Sequence, residues 1–433
     1  MDKMRAIIFS VIAIAVVVGA SISLNYVGLN NGALGPLPAN DTAAPPVQND
    51  TTISNYNDTF RVLPDSDPPT ISDARLKVEK VIGGLALPTS MAFLDHDDIL
   101  ILQKDNGRVR LVSNGVLQPN PVFDVFVENS SERGLLGVAV ANATAQQKTV
   151  FLYYTTTPAG SDEVRNQVYR YDWNGTGDFT RGTLVLDLPG EPGPNHDGGK
   201  MTIGPDGMLY AVIGDLNRNG KLQNYNTGPE PDDTSVILKV DLDGNAANGT
   251  TKYHAYGIRN SFGLDFDPLT GVLWDTENGP ANYDEINVVK PGFNSGWERV
   301  MGPIDRTGVD PGSLVQLDGS HYEDPVFSWA DSRGVSDIEF LNSTKLGDKY
   351  AHNVFVGDFN SGNLYFFTVN GNRTGLDLGN SGLEDLVADN NSELESVTLG
   401  TGFGGITDIE TGPDGYLYIL TFSGNVYRIV PAS

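Results

Sequence analysis

The chain has no cysteine in its 433 residues. That excludes disulfides and thiolate metal sites, and it leaves cysteine usage silent about compartment. Basic residues are scarce. Twenty-eight lysines and arginines stand against 55 aspartates and glutamates, a formal charge of −27. Such a surface repels nucleic-acid phosphates and anionic lipid headgroups, so the folded part of the chain is not expected to bind either. Convincing amphipathic helices are missing beyond Leu76, which argues against a helical bundle. Long apolar runs are missing as well, with one exception at residues 6–27.

That run of about 22 residues follows Lys3 and Arg5 and is long enough to span a bilayer. The flanking positive charge places the N-terminus inside and the remainder outside. The competing reading is a cleaved signal peptide with Val18-Gly19-Ala20 as its cleavage site. Either way the domain is exported, anchored at the cell surface or secreted, and any membrane contact runs through the N-terminal helix alone. Residues 28–74 are rich in Asn, Asp, Pro and Thr, and Pro36, Pro38, Pro45, Pro46, Pro68 and Pro69 interrupt regular structure. They read as a disordered linker. Sequons at Asn40, Asn49 and Asn57 make it the favoured stretch for N-glycosylation. The expected organisation is a signal anchor or signal peptide at 1–27, a linker at 28–74 and a folded domain at 75–433.

What the domain does contain is a strand-turn-strand unit in six copies. The last runs Ile406-Thr407-Asp408-Ile409, Gly412-Pro413-Asp414-Gly415, Tyr416-Leu417-Tyr418-Ile419-Leu420 and Gly424-Asn425-Val426-Tyr427-Arg428-Ile429. Earlier copies begin near Ser90, Gly137, Lys200, Gly263 and Ser336. Hairpin signals such as Asn106-Gly107, Asp206-Gly207 and Asp414-Gly415 separate the runs. Irregular spacing with long inserted loops fits propeller blades rather than a solenoid. The expected fold is all-β: a six-bladed β-propeller of four-stranded blades, preceded by the N-terminal transmembrane or signal helix and the linker. The alternating segment Leu76-Lys77-Val78-Glu79-Lys80-Val81-Ile82 is placed to pair with the last blade and close the ring. Loops of every blade converge on one central funnel, where function is sought first.

Of five histidines, His196 has a suggestive context, Pro194-Asn195-His196-Asp197-Gly198-Gly199, just before the third repeat strand. On that loop it could serve as a general base; the plainer alternative is a satisfied loop histidine. Asp215 ends the next strand, where a carboxylate could fix the imidazole tautomer or simply make a turn. Arg259-Asn260 precedes the fourth strand, where a guanidinium could hold an anion or a developing oxyanion, or bond loop carbonyls. The segment Thr276-Glu277-Asn278-Gly279-Pro280-Ala281-Asn282-Tyr283-Asp284-Glu285-Ile286-Asn287 is oxygen-rich, suited to Ca²⁺ or to a tight turn.

Taken in order, Glu132-Arg133-Gly134-Leu135-Leu136-Gly137, the 196–215 segment, 257–263, 279–287 followed by Asn294-Ser295-Gly296-Trp297, and Gly412-Pro413-Asp414-Gly415 resemble the soluble quinoprotein sugar dehydrogenases, the glucose/sorbosone dehydrogenase family. The resemblance runs from about Gly83 to Pro431. It implies a six-bladed propeller that oxidises the anomeric hydroxyl of an aldose by hydride transfer to pyrroloquinoline quinone (PQQ), with an external electron acceptor. His196 matches the family's base and Asp215 the aspartate that orients it. Arg259 and Asn260 match the pair in the quinone site, and Glu132 stands where a cofactor-binding glutamine is found. Gly279 and Pro280 match residues whose carbonyls bind the cofactor's Ca²⁺, with Asp284 and Glu285 near the family's calcium sites.

The chain also departs from that pattern. The family's two arginines entering the last blade, which pair with the cofactor's carboxylates, are replaced in Gly405-Ile406-Thr407-Asp408, and a family lysine has no match in Asp358-Phe359-Asn360-Ser361-Gly362. Arg333 and Arg133 are the basic residues that could stand in. The alternative expectation is therefore a non-catalytic propeller of the same family that binds carbohydrate, protein or Ca²⁺, a reuse known from the hedgehog-interacting protein.

Overall fold

The short runs after Leu76 become strands because each can bury a face against a neighbouring sheet. The computed structural model of the chain describes residues 60–141, 147–174, 179–180, 182–218, 224, 232–247, 251–315, 319–379 and 381–432. All lie in the compact unit Asn57–Ser433. The innermost strands Pro88–Phe93, Leu135–Ala141, Met201–Ile203, Ser261–Phe266, Val335–Phe340 and Ile406–Thr411 stand side by side in that order, the last against the first. Each opens its own sheet, so six sheets surround one axis in a β-propeller arrangement.

Second strands sit between neighbouring sheets and are buried on both faces. Ile99–Gln103, Leu209–Ile213, Val354–Asp358 and Leu417–Thr421 are buried at every position, hence their continuous apolar character. Between the fourth and fifth sheets Trp274, Phe327, Trp329, Phe340, Tyr365 and Phe367 form one aromatic cluster. Burial of each such side chain is worth about 1.5–3 kcal/mol. Turn glycines follow demand: Gly415 sits at φ 83 and Asp414 accepts the Tyr416 amide at 3.0 Å, closing the Asp-Gly hairpin.

Inner strands are sheet edges, and their outward amides need acceptors. Acidic side chains of one inner strand supply them to the next. Asp265 accepts from Phe340 (2.7 Å), Asp337 from Ile409 (2.7 Å), Glu339 from Thr411 (2.8 Å) and Asp408 from Met91 (2.5 Å). Lys200 enters this belt, donating Nζ to Asp337 at 2.9 Å and Asp408 at 2.5 Å. The ring closes where Leu76–Ile82 pairs antiparallel with Asn425–Pro431, Leu76 opposite Pro431.

The expected fold needs correction in two respects. The blades are not uniformly four-stranded: two sheets have four strands, two have five and two have six. The extra strands are two-residue pieces drawn from loops, such as Phe293–Asn294 and His321–Tyr322 on the third sheet and Val387–Ala388 on the fourth. The N-terminal part is the second correction. Among the described residues no helix is long and apolar enough to cross a membrane, and the expected helix at 1–27 lies outside them, as do linker residues 28–59. Linker residues from Phe60 on are not disordered: Phe60 is buried and Thr70–Ile71 pairs with Thr398–Thr401 on the fifth sheet.

Candidate active site

His196 stands in a loop where its backbone is left-handed, at φ 64. A non-glycine residue there costs about 1–2 kcal/mol, so the conformation must be held from outside. Glu132 accepts the His196 amide at 2.6 Å, and Asp215 Oδ1 lies 2.5 Å from His196 Nδ1. The imidazole keeps 12% side-chain exposure, whereas Asp215 keeps 1%. Gly214 lets these loops meet: a Cβ there would stand 2.4 Å from the Arg259 carbonyl oxygen and 2.7 Å from that of His196.

Asp215 is held at both oxygens. Asn217 donates its amide to Oδ1 at 3.0 Å, and Trp297 Nε1 donates to Oδ2 at 2.8 Å. Burial works against its charge, but the hydrogen bond and charge of His196, the Trp297 donor and Arg259 outweigh it and hold the carboxyl below its usual range. The Asp215 amide donates to the Arg259 carbonyl at 2.9 Å, which ties the third and fourth sheets together here.

Arg259 donates its amide to Glu277 at 2.6 Å and Nη1 to the Asn278 carbonyl at 2.6 Å, and its guanidinium lies 5.2 Å from the Trp297 ring centre. Its Nε is buried without a partner among the described residues, as is Asn260 Oδ1. Burial lowers the Arg259 pKa from its usual value. Glu132 is pushed up, chiefly by burial, against the charge and amide of His196, the charge of Arg259 and a hydrogen bond from Asn260. His196, Asp215, Arg259, Asn260 and Glu132 thus form one connected set around two unpartnered polar atoms.

Neither Glu277 nor Trp297 stands out singly in the segments quoted above. Glu277 is fully buried, takes Ser295 Oγ at 2.6 Å on its other oxygen, and burial drives it up to about 7. Its signal was a carboxylate on the buried strand Leu273–Glu277; Trp297 stood in the segment 294–297 that carries the resemblance, but its partner Asp215 is 82 positions away.

The expected calcium residues do not assemble as a metal cluster. Gly279 makes a tight turn in which a Cβ would lie 1.9 Å from the Asn282 carbonyl oxygen, and Pro280 is exposed. Asp284 accepts four donors: Gly279 N at 3.0 Å, Ser332 Oγ at 2.8 Å, Arg333 N at 2.6 Å and Gly334 N at 2.7 Å. With its acceptor sites filled from within the protein, Asp284 clamps two loops and does not fit a metal ligand. Glu285 is buried elsewhere, taking the Gly302 amide at 2.5 Å and Asn287 Nδ2 at 3.3 Å. Among the described residues no group of three histidines or carboxylates is arranged to hold a metal.

The glucose/sorbosone dehydrogenase profile matches residues 85–428. The chain belongs to the glucose/sorbosone dehydrogenase family. It is 27% identical over 383 residues to the aldose sugar dehydrogenase YliI of Escherichia coli, spanning 83% of this chain and 94% of that one. It is 28% identical over 257 residues to quinoprotein glucose dehydrogenase B of Acinetobacter calcoaceticus, 53% of each. The crystal structure of the soluble aldose sugar dehydrogenase of Escherichia coli in its apo form superposes with a TM-score of 0.65 at 25% identity, covering 82% of this chain and 99% of that one.

The positions where the resemblance implies two arginines, in the segment 405–408, are occupied by small neutral side chains. Gly405 faces Phe359, whose ring would lie 3.0 Å from a Cβ there, and Phe359 meets Phe422 edge-on at 5.2 Å. Thr407 Oγ1 turns to the Leu420 carbonyl at 3.4 Å. Both candidate arginines are partly engaged, and each keeps a buried Nε without a hydrogen-bond partner among the described residues. Arg133 donates to the Gly190 carbonyl and lies 3.9 Å from Asp197, while Arg333 donates to Asn391 at 2.6 Å. Arg259 and Asn260, which the resemblance sets at the quinone, carry buried atoms without a partner among the described residues and so could accept PQQ. Gly405 and Thr407, where the resemblance would set cations for the cofactor's carboxylates, are neutral.

Proposed function

We propose that the chain is a PQQ-dependent dehydrogenase that oxidises the anomeric hydroxyl of an aldose. The single observation that carries this reading is the His196–Asp215 pair at 2.5 Å, set beside an Arg259–Asn260 pair with unpartnered buried atoms. Similarity to a quinoprotein and to an aldose sugar dehydrogenase supports the cofactor and substrate class. Arg259, Asn260 and Glu132 would hold PQQ, which when bound supplies the two-electron acceptor for hydride.

The remaining work falls to the chain. Asp215 occupies the Nδ1 side of His196, so Nε2 is the nitrogen that takes the proton of the anomeric hydroxyl. Arg259, kept charged in a water-poor setting, stabilises negative charge developing beside it. Asn278 and Trp297 hold that guanidinium in place. Electrons pass on to an external acceptor, and export of the domain is part of the proposal.

His196→Ala is expected to abolish dye-linked aldose oxidation, assayed with added PQQ, while circular dichroism and the melting temperature stay near wild type. Turnover retained in the variant would overturn the assignment. The neutral carboxylate side favours a second reading, a carbohydrate-binding propeller without redox chemistry; wild-type protein that binds aldoses but turns none over would establish it.

A further inference from the structure

We propose that Trp297 is a positioning residue for proton transfer: its indole N–H fixes the second oxygen of Asp215, and so the tautomer of His196, while its ring supports the Arg259 guanidinium. The inference rests on His196 being the base of the proposed reaction.

Asp215 Oδ1 receives His196 Nδ1 and the Asn217 amide, at 2.5 and 3.0 Å. Two contacts on one oxygen leave the carboxylate able to turn about them. The Trp297 donor on Oδ2, at 2.8 Å, sets its plane. An indole is a donor only, so it requires Oδ2 to accept and disfavours a proton there. An accepting Asp215 in turn calls for a proton on His196 Nδ1, which leaves Nε2 as the acceptor. Charged or titratable groups that interact with His196 are Glu132, Asp197 and Asp215, with Arg259 acting on Asp215 and Glu132; of these Asp215 is the one bonded to Nδ1.

Trp297 is itself well fixed. Its amide donates to the Gly257 carbonyl at 3.2 Å, its carbonyl accepts Asn224 Nδ2 at 2.6 Å, and it is 9% exposed. Its ring lies 5.2 Å below the Arg259 guanidinium, within cation–π range. One side chain therefore sets the relative placement of the proton acceptor and the charge that faces it.

The test is the full-length chain with Trp297→Phe, which keeps a ring and removes the N–H. Imidazole ¹⁵N spectra, assigned by subtracting a His196→Gln spectrum, should show His196 as the Nδ1–H tautomer in the wild type and a mixture in the variant. With aldose and PQQ, kcat should fall roughly ten- to hundredfold while KM stays within about twofold. Should Trp297→Phe fail to fold, isosteric benzothienylalanine at position 297, which lacks only the N–H, serves the same comparison. An unchanged tautomer and unchanged kcat overturn the proposal. The tautomer comparison decides it even if the wild type oxidises no sugar, an outcome that bears on the proposed function alone.

Discussion

The ammonium of Lys200 stands 2.9 Å from the carboxylate of Asp337, and the same carboxylate oxygen accepts the Ile409 amide at 2.7 Å. Burial opposes the lysine's charge, but Asp337, Asp408 and Glu410 together keep it well above the usual lysine value. Removing one partner of a buried ion pair strands the other. Lys200→Met is therefore expected to destabilise the fold by about 3–5 kcal/mol, measured by urea unfolding. A loss within experimental scatter would show the belt does not depend on this cation.

The same belt sets a pH dependence. Burial pushes Asp265 up to about 6 and Glu410 up to about 8, in each case partly offset by Lys200. A carboxyl whose folded pKa lies above its unfolded value binds its proton more tightly when folded. Its contribution is present at low pH and is lost as pH rises through the folded value. The melting temperature is accordingly expected to fall between about pH 4, near the unfolded values, and about pH 8, the higher folded value. A flat or rising profile there would contradict the assignment.

Asp215→Asn keeps the shape of the orienting residue but offers an amide where His196 needs an acceptor. A loss of about 10²–10⁴ in kcat is expected, with little change in melting temperature, from steady-state kinetics beside calorimetry. A loss under fivefold would remove Asp215 from the proton-transfer pair.

Thr407→Arg restores one of the cations that the family pattern places at the last blade. A charge-assisted hydrogen bond is worth about 1.5–3 kcal/mol, so PQQ affinity should rise about ten- to hundredfold in calorimetric titration. No gain would mean that the cofactor's carboxylates lie away from position 407.

Much of the architecture was legible because strands announce themselves by periodicity. The alternation of Leu76–Ile82 foretold its pairing with Asn425–Pro431, and the His196 loop and Asp215 lay on one repeat unit, within hydrogen-bond reach of each other. Two-residue strands such as Val387–Ala388 carry no period at all, so the true sheet widths were hidden. Asp284 read as an oxygen-rich loop residue because most of its donors come from Ser332, Arg333 and Gly334, about 50 positions on, in the loop that joins the fourth sheet to the fifth. Trp297 escaped for the same reason: its partner Asp215 is distant in the chain and the contact is a single side-chain hydrogen bond. Local pattern encodes elements; pairings between loops of different blades are set by the ring.

The pairing of Leu76 with Pro431 also orders events in time. The first strand of the ring emerges from the ribosome long before its partner exists. Until the last hairpin is made, Leu76–Ile82 has no strand partner, and the ring stays open with an unpaired edge on each side of the gap. Closure joins the most distant segments of the domain, the slowest kind of contact for a chain to find. Final assembly thus waits until residues 425–431 have been made, and until then the nascent chain must be kept from pairing its open edges with another copy.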